Sequence, residues 1–360
     1  MSRRWKNSRT LAALAVAALA FGGCARKIPK QGAQVTHEPS TVKFWGYKVT
    51  VLVAATPEEL EGYITDADKL KQEVGGIKIE RVSGERMTKI GDSSNYVIKV
   101  PGLPVPYRLT MIHYQPLQEI WYMSETANEF LVSVLRYQMK KVKDGTILTV
   151  RFELQEPQGP LLKQVSEQLN LQALMVKGTE QGTAMIQAYF DKSLTLDGLM
   201  KKGLRGEYYV SFFSAEKVGA FINAPPEKVH KYLTSPETWG KWEDSYKVYN
   251  MGQCLTSLAS GACEAKINIM GAEYKLDFMS ANYEPGKYTS CYFTSPVAGV
   301  GRVQTFLKPK AGGTDLSIEY MVQISQTAPA ATELLVNLSQ LPRTVEQIIL
   351  DAKTSVESRI

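Results

Sequence analysis

The chain repeats itself, and a repeat constrains it to a fold built from two copies of one unit. Residues 44–65 align with residues 213–234 at an offset of 169, with identities at Phe44/Phe213, Lys48/Lys217, Val49/Val218, Ala55/Ala224, Pro57/Pro226, Glu58/Glu227, Tyr63/Tyr232 and Thr65/Thr234. A second echo lies downstream, where residues 145–152 match 313–320 at an offset of 168. Two matches so far apart at nearly one spacing indicate tandem duplication of a unit of about 150 residues, an ordinary domain size.

Each unit follows one plan. An apolar strand (49–53, 218–222) precedes a helix signalled by proline in its first turn, Pro57 or Pro226. Thr56 and Glu59 have the spacing of a capping box, whereas Pro225 leaves the second unit without a capping hydroxyl. In the second unit strands are expected at 266–270, 274–282, 287–294, 303–307 and 316–324, separated by turn residues such as Gly271, Gly286 and Gly312. A helical pattern closes each unit. Leu334, Leu338, Leu341, Val345, Ile348, Ala352 and Val356 recur every three or four residues, with Pro342 expected to interrupt or restart the helix. The first unit shows Leu161, Val165 and Leu169, then Met185, Ile186 and Tyr189, interrupted by Gly178 and Gly182. The fold class expected is therefore α+β, with two tandem domains in which a long C-terminal helix lays its apolar stripe on a curved antiparallel sheet.

Residues 221–239 read Phe-Ile-Asn-Ala-Pro-Pro-Glu-Lys-Val-His-Lys-Tyr-Leu-Thr-Ser-Pro-Glu-Thr-Trp. This stretch resembles the opening signature of the START-like superfamily, also called SRPBCC, which includes bacterial polyketide cyclases, plant pollen-allergen-type proteins and steroid-transfer domains. The likeness covers residues 214–358, and the more diverged 43–193 shares it through the repeat. The resemblance implies a helix-grip fold with a hollow between sheet and closing helix that holds a lipid, sterol or similar hydrophobic molecule. Its lining would come from Phe278, Tyr292, Phe306, Tyr320, Val345, Ile348, Ile349 and Ala352 in the second unit, and from Tyr122, Phe152, Met185, Ile186 and Tyr189 in the first. An apolar stripe at these spacings reads equally as plain core.

The N-terminus carries a second message. Residues 1–23 combine a basic start, an apolar run from 11 to 21 and Gly22-Gly23, the pattern of an export signal. The apolar run is too short for a bilayer, which needs about 20 residues. Cys24 follows directly, and the junction resembles the lipobox of bacterial lipoproteins, although Phe21 stands where that family prefers leucine. The resemblance implies cleavage before Cys24, acylation of the new terminus and firm anchoring by two or three acyl chains. Ala25 in place of aspartate implies the outer membrane, facing the periplasm, in a Gram-negative cell. The expected organisation is a signal (1–23), a lipidated tether (24–42), a first domain (43–193), a linker (194–212) and a second domain (213–360).

The net charge of +6 leans on Arg3, Arg4, Lys6 and Arg9 of the signal. No basic run remains to argue for nucleic acid. Cys254 and Cys263 flank a hairpin-like loop. An oxidising compartment admits a disulfide between them, with Cys291 left over or pairing with one of them, and three reduced thiols are the alternative. His37, His113 and His230 have no acid or thiol in a catalytic spacing, and His37 falls in the tether. Asp66 and Asp68 begin like a calcium loop, but Leu70 and Lys71 break it, so neither metal nor cofactor is expected. Three readings follow. The first is a membrane-anchored module that binds or transfers a hydrophobic ligand. The second is a structural adaptor whose cavities have filled. The third is a cyclase- or aromatase-like enzyme, which needs an inward polar group such as Tyr292, Glu319 or Tyr320. The sequence does not identify the ligand, the protein partners or the oligomeric state.

Overall fold

The strand that opens each repeat unit is also where the units join. The computed structural model describes residues 35–69, 72–74, 77–84, 86–100, 103–126, 131–238, 240–241, 248–249, 262–269, 272–284, 286–295, 299–324 and 341–358. The first unit runs β1 (Thr36–Val53), α1 (Pro57–Ile64), β2 (Gln72–Val74), β3 (Ile77–Gly84), β4 (Ser93–Val100), β5 (Leu103–Gln115), β6 (Glu119–Thr126), β7 (Val132–Val142), β8 (Gly145–Gln155), α2 (Pro160–Leu169) and α3 (Leu171–Phe190). After α4 (Leu196–Lys202) the second unit runs β9 (Gly206–Ile222), α5 (Pro226–Thr234), β10 (Val248–Tyr249), β11 (Ala262–Ile269), β12 (Ala272–Glu284), β13 (Tyr288–Ser295), β14 (Gly299–Lys310), β15 (Gly313–Ile324) and α6 (Leu341–Glu357). The class is α+β. The strands form one 15-stranded antiparallel sheet in the order β10-β11-β12-β13-β14-β15-β9-β1-β8-β7-β6-β5-β4-β3-β2.

Local chemistry explains the elements. Thr56 caps α1 by accepting from the Glu59 amide while Glu59 accepts from the Thr56 amide, and Pro57 starts the helix. In α5 Pro225 occupies the cap position without a side-chain bond. Pro342 stands in the first turn of α6, where its missing N–H is not needed. Leu334 and Leu338 lie outside the described residues. Both units repeat one tertiary bond: Thr146 Oγ1 donates to the Ala55 carbonyl at 2.7 Å, and Thr314 Oγ1 donates to the Ala224 carbonyl at 2.6 Å. Gly145, with φ +137, and Gly313 precede these threonines, and a Cβ at either would lie 2.2 Å from the Val53 or Ile222 carbonyl oxygen.

The β1–β9 register obeys the repeat. Lys43 pairs with Phe212, which is its own equivalent at the offset of 169. The seam is therefore self-complementary, like the isologous interface of a twofold dimer. Residues 36–42, read from sequence as tether, are strand paired with 213–219. Residues 206–212, read as linker, are likewise strand. Pro39 is tolerated because β8 ends opposite Phe44, leaving that stretch of β1 with an open edge.

Alternation along the strands creates two faces. One carries the helices, with α3 against β1 and β8 and α6 against β9. The other faces of the two units pack on each other through Phe44, Ile112, Val134, Phe213, Met279, Tyr292 and Met321. The layers are thus helix, sheet, sheet, helix. A polar seam crosses the middle. Arg136 Nη2 lies 3.1 Å from Glu153 of its own unit and donates to Gln323 of the other at 2.6 Å. Arg302 reaches Glu125 across the units at 3.4 Å.

Cys263 is disulfide-bonded. Cys291 is a free buried thiol, pushed up to about 12 by burial, so it is not that partner. Cys254 lies outside the described residues, as do the signal segment and Cys24.

Candidate functional site

Beneath α6 the second unit builds a continuous apolar core. Val218, Ala220 and Ile222 of β9 and Leu316, Ile318, Tyr320 and Val322 of β15 alternate inward at the strand period. Val345, Ile348, Ile349, Ala352 and Val356 face them at the helical period. Of the residues expected beneath this helix, Tyr320, Val345, Ile348, Ile349 and Ala352 are here, with Phe278, whose ring lies 5.5 Å from Phe293.

Tyr292 and Phe306 are not. Along β13, Cys291 and Phe293 point under α6, which sends Tyr292 to the opposite face beside Glu125 and Arg302. Along β14, Val303 and Leu307 point inward, and Phe306 packs outside against Tyr288, with the Lys308 ammonium over its ring. A displacement of one residue moves a strand side chain to the other face. Glu319 also faces away, paired with Lys217 at 3.1 Å.

The corresponding space in the first unit is occupied by tyrosines. Tyr122 and Ile186 are buried among Tyr63, Tyr96 and Tyr137. Tyr96 donates to the Ala67 carbonyl at 3.1 Å and Tyr122 to the Ile64 carbonyl at 3.2 Å, pinning the end of α1 and the turn beyond it. Burial holds the phenols of Tyr107, Tyr122 and Tyr137 well above the ordinary tyrosine value. Phe152 packs with Tyr47, Leu154 and Met175, and Met185 is half-buried. Tyr189 is exposed, its ring 4.8 Å from Tyr63 and flanked by the ammonium groups of Lys69 and Lys192.

A crevice of about 350 Å³ opens where β1, β9 and β15 meet the start of α6, lined by Pro39, Ser40, Thr41, Ser214, Ala215, Glu216, Tyr320 and Pro342. Tyr320 donates its hydroxyl to Glu216 Oε2, and Glu216 Oε1 pairs with His37 Nδ1 at 2.8 Å. His37 Nε2 lies 3.8 Å from Glu346 of α6. Burial first, then the Glu216 carboxylate, holds the Tyr320 phenol far above its ordinary value. His37 escaped the sequence reading because it was assigned to the tether; strand pairing carries it beside the second unit's helix.

The repeat shows why the crevice sits where it does. Its sheet positions Pro39, Ser40 and Thr41 correspond to Tyr208, Tyr209 and Val210 at the offset of 169, and Ser214, Ala215 and Glu216 correspond to Trp45, Gly46 and Tyr47. The equivalent positions, again shared between β1 and β9, thus carry four aromatic residues, one valine and one glycine where the crevice has small or polar ones. Tyr47 and Tyr208 pack edge to face at 5.0 Å, and Tyr47 donates to Glu180 of α3. Among the described residues no group of His, Cys, Asp and Glu could hold a metal ion. The crevice lining mixes Pro39, Ala215 and Pro342 with the polar groups of Ser40, Thr41, Ser214, Glu216 and Tyr320, an arrangement suited to a molecule with one polar end.

No protein-family model matches the chain, and no curated protein matches it. Among solved structures, the di-domain ARO/CYC StfQ from the steffimycin biosynthetic pathway is similar at 12% identity, covering 87% of this chain and 98% of its own, with a TM-score of 0.33. A Chromobacterium violaceum protein is similar at 13% identity over 40% of this chain and 96% of its own, with a TM-score of 0.31. A Thermus thermophilus protein is similar at 12% identity over 44% and 99%, with a TM-score of 0.30.

Proposed function

We propose that this chain is an exported lipoprotein, anchored through Cys24, whose second unit shelters a hydrophobic molecule between its sheet and α6. The crevice at Glu216 and Tyr320 is the entrance, and the first unit is a filled copy that braces the second. One observation carries this reading: the six sheet positions lining the crevice, three from β1 and three from β9, are small or polar, and the six equivalent positions elsewhere along the β1–β9 seam are mostly aromatic. Apolar surface taken from water stabilises a bound hydrocarbon by roughly 25 cal/mol per Å², so a chain-like or fused-ring guest is retained without catalysis. Tethering beside a bilayer shortens the aqueous path of a guest that barely dissolves. The helix-grip arrangement, the outer membrane as location and lipid or sterol as guest belong to this reading.

Its test is recovery of the protein from envelopes, followed by native mass spectrometry and identification of the released small molecule. Cys24→Ser in parallel should move the protein from the membrane fraction to the soluble one. The adaptor reading has its own support in the bonded tyrosines that fill the first unit, and a protein recovered with nothing bound would favour it. The enzyme reading loses Tyr292 and Glu319 as inward groups and keeps only Tyr320.

A further inference from the structure

We infer that the guest of the second unit presents a hydrogen-bond donor, an alcohol or an amine, to Glu216, and that the site discriminates against anionic head groups. The inference rests on the ligand-binding reading and narrows it. Glu216 lines the crevice and is bonded to Tyr320 of the apolar core, with 13% of its side chain exposed. Its partners are known. Tyr320 takes one oxygen from the core side and His37 takes the other from the β1 side. A carboxylate offers about four acceptor positions, so after these two bonds it can still accept from a guest.

The charge balance points the same way. Among the described residues that line it, none is Arg or Lys. Lys217, next in sequence to Glu216, is turned to the opposite face by strand alternation and pairs there with Glu319. The charged groups seen paired at the mouth are two carboxylates, Glu216 and Glu346, with the His37 imidazole between them, while the exposed Arg343 follows Pro342 in the first turn of α6. Even an imidazolium at His37 leaves the paired set Glu216, His37 and Glu346 net negative. The remaining sheet contacts at the mouth, Thr41 and Ser214, bring hydroxyls and no charge. A fatty-acid carboxylate or a phosphate placed here would meet a like charge that is largely withdrawn from water and so poorly screened. A hydroxyl or ammonium would donate to it. The first unit cannot do this, because Tyr47 replaces Glu216 at the equivalent position and is itself bonded to Glu180.

The test compares three probes with one tail: dodecanol, dodecylamine and laurate. They are titrated at about pH 8, where the acid is ionised and the amine charged, into the exported chain (residues 24 onward, with Cys24→Ser). Because the tail is shared, the differences report the head group. Dodecanol and dodecylamine should bind at least about tenfold more tightly than laurate, and Glu216→Gln should shrink that ratio below about threefold. The ratio in the unaltered site is decisive by itself should the variant fold poorly. Laurate binding as tightly as the other two would overturn the head-group assignment and leave the ligand-binding reading standing. Binding of none of the three would overturn both.

Discussion

Phe44 and Phe213 are equivalent residues of the two repeat units, and they touch each other, ring centroids 4.4 Å apart at 33°. Equivalent residues meet in this way only where two copies are related by a twofold axis. Here the axis passes through the Lys43–Phe212 pair of β1 and β9. The seam is continuous backbone pairing covered by a shared apolar layer, so neither unit keeps its inner face dry alone.

Heat unfolding should accordingly be one cooperative transition. Phe213→Ala removes a fully buried ring from the shared layer and should cost about 3–5 kcal/mol. Differential scanning calorimetry would show a single lowered peak; two separated peaks in the unaltered chain would mean that the units fold independently.

The paired threonine bonds offer a symmetric test. Thr146→Val and Thr314→Val each delete a buried hydroxyl that donates to the carbonyl after the opening strand. Each should cost about 1–2 kcal/mol in denaturant titration. Because the units unfold together, both should shift the same midpoint by similar amounts.

Removing one partner of the central ion pair should cost more than removing both. Arg136→Met strands Glu153, whose side chain is 2% exposed, and should cost about 3–5 kcal/mol. The double variant Arg136→Met with Glu153→Met should recover most of that loss in the same titration.

Acidification should weaken the fold partly through His113. Burial beside the tilted Trp121 ring depresses its pKa below the ordinary 6.5. With the folded value below the unfolded one, the unfolded chain takes up the proton first. The stability present above about pH 6.5 is therefore lost as pH falls through that value toward the folded pKa. His113→Gln should flatten this part of the profile between about pH 7 and 5, read as the difference between variant and parent.

The plan of the chain was legible where one rule governed each segment. The capping box, the proline starts of α1 and α5, and the strands β11 to β15 were all visible as local patterns. Facing was not legible wherever both sides of a strand are buried. β13 carries Cys291, Tyr292 and Phe293 in a row, all buried, one face under α6 and the other against the first unit. Periodicity cannot assign such a run, and Tyr292 was taken for the wrong side. His37 was lost for a different reason. Pro39 and its polar neighbours read as tether because residues 36–41 are exposed and so carry no apolar alternation. The repeat held the missing signal: Tyr208-Tyr209-Val210-Ser211-Phe212-Phe213 has the aromatic and β-branched composition of a strand, and the offset of 169 carries that onto 39–44.

The most direct measurement transplants the first unit's bulk into the second. Trp45 occupies the position equivalent to Ser214, so Ser214→Trp rebuilds the filled version of the site inside the open one. Native mass spectrometry of protein recovered from envelopes should show a bound small molecule on the parent chain and none on Ser214→Trp, with unfolding midpoints nearly equal. A parent chain with nothing bound, or a tryptophan variant that still carries the guest, would contradict the account.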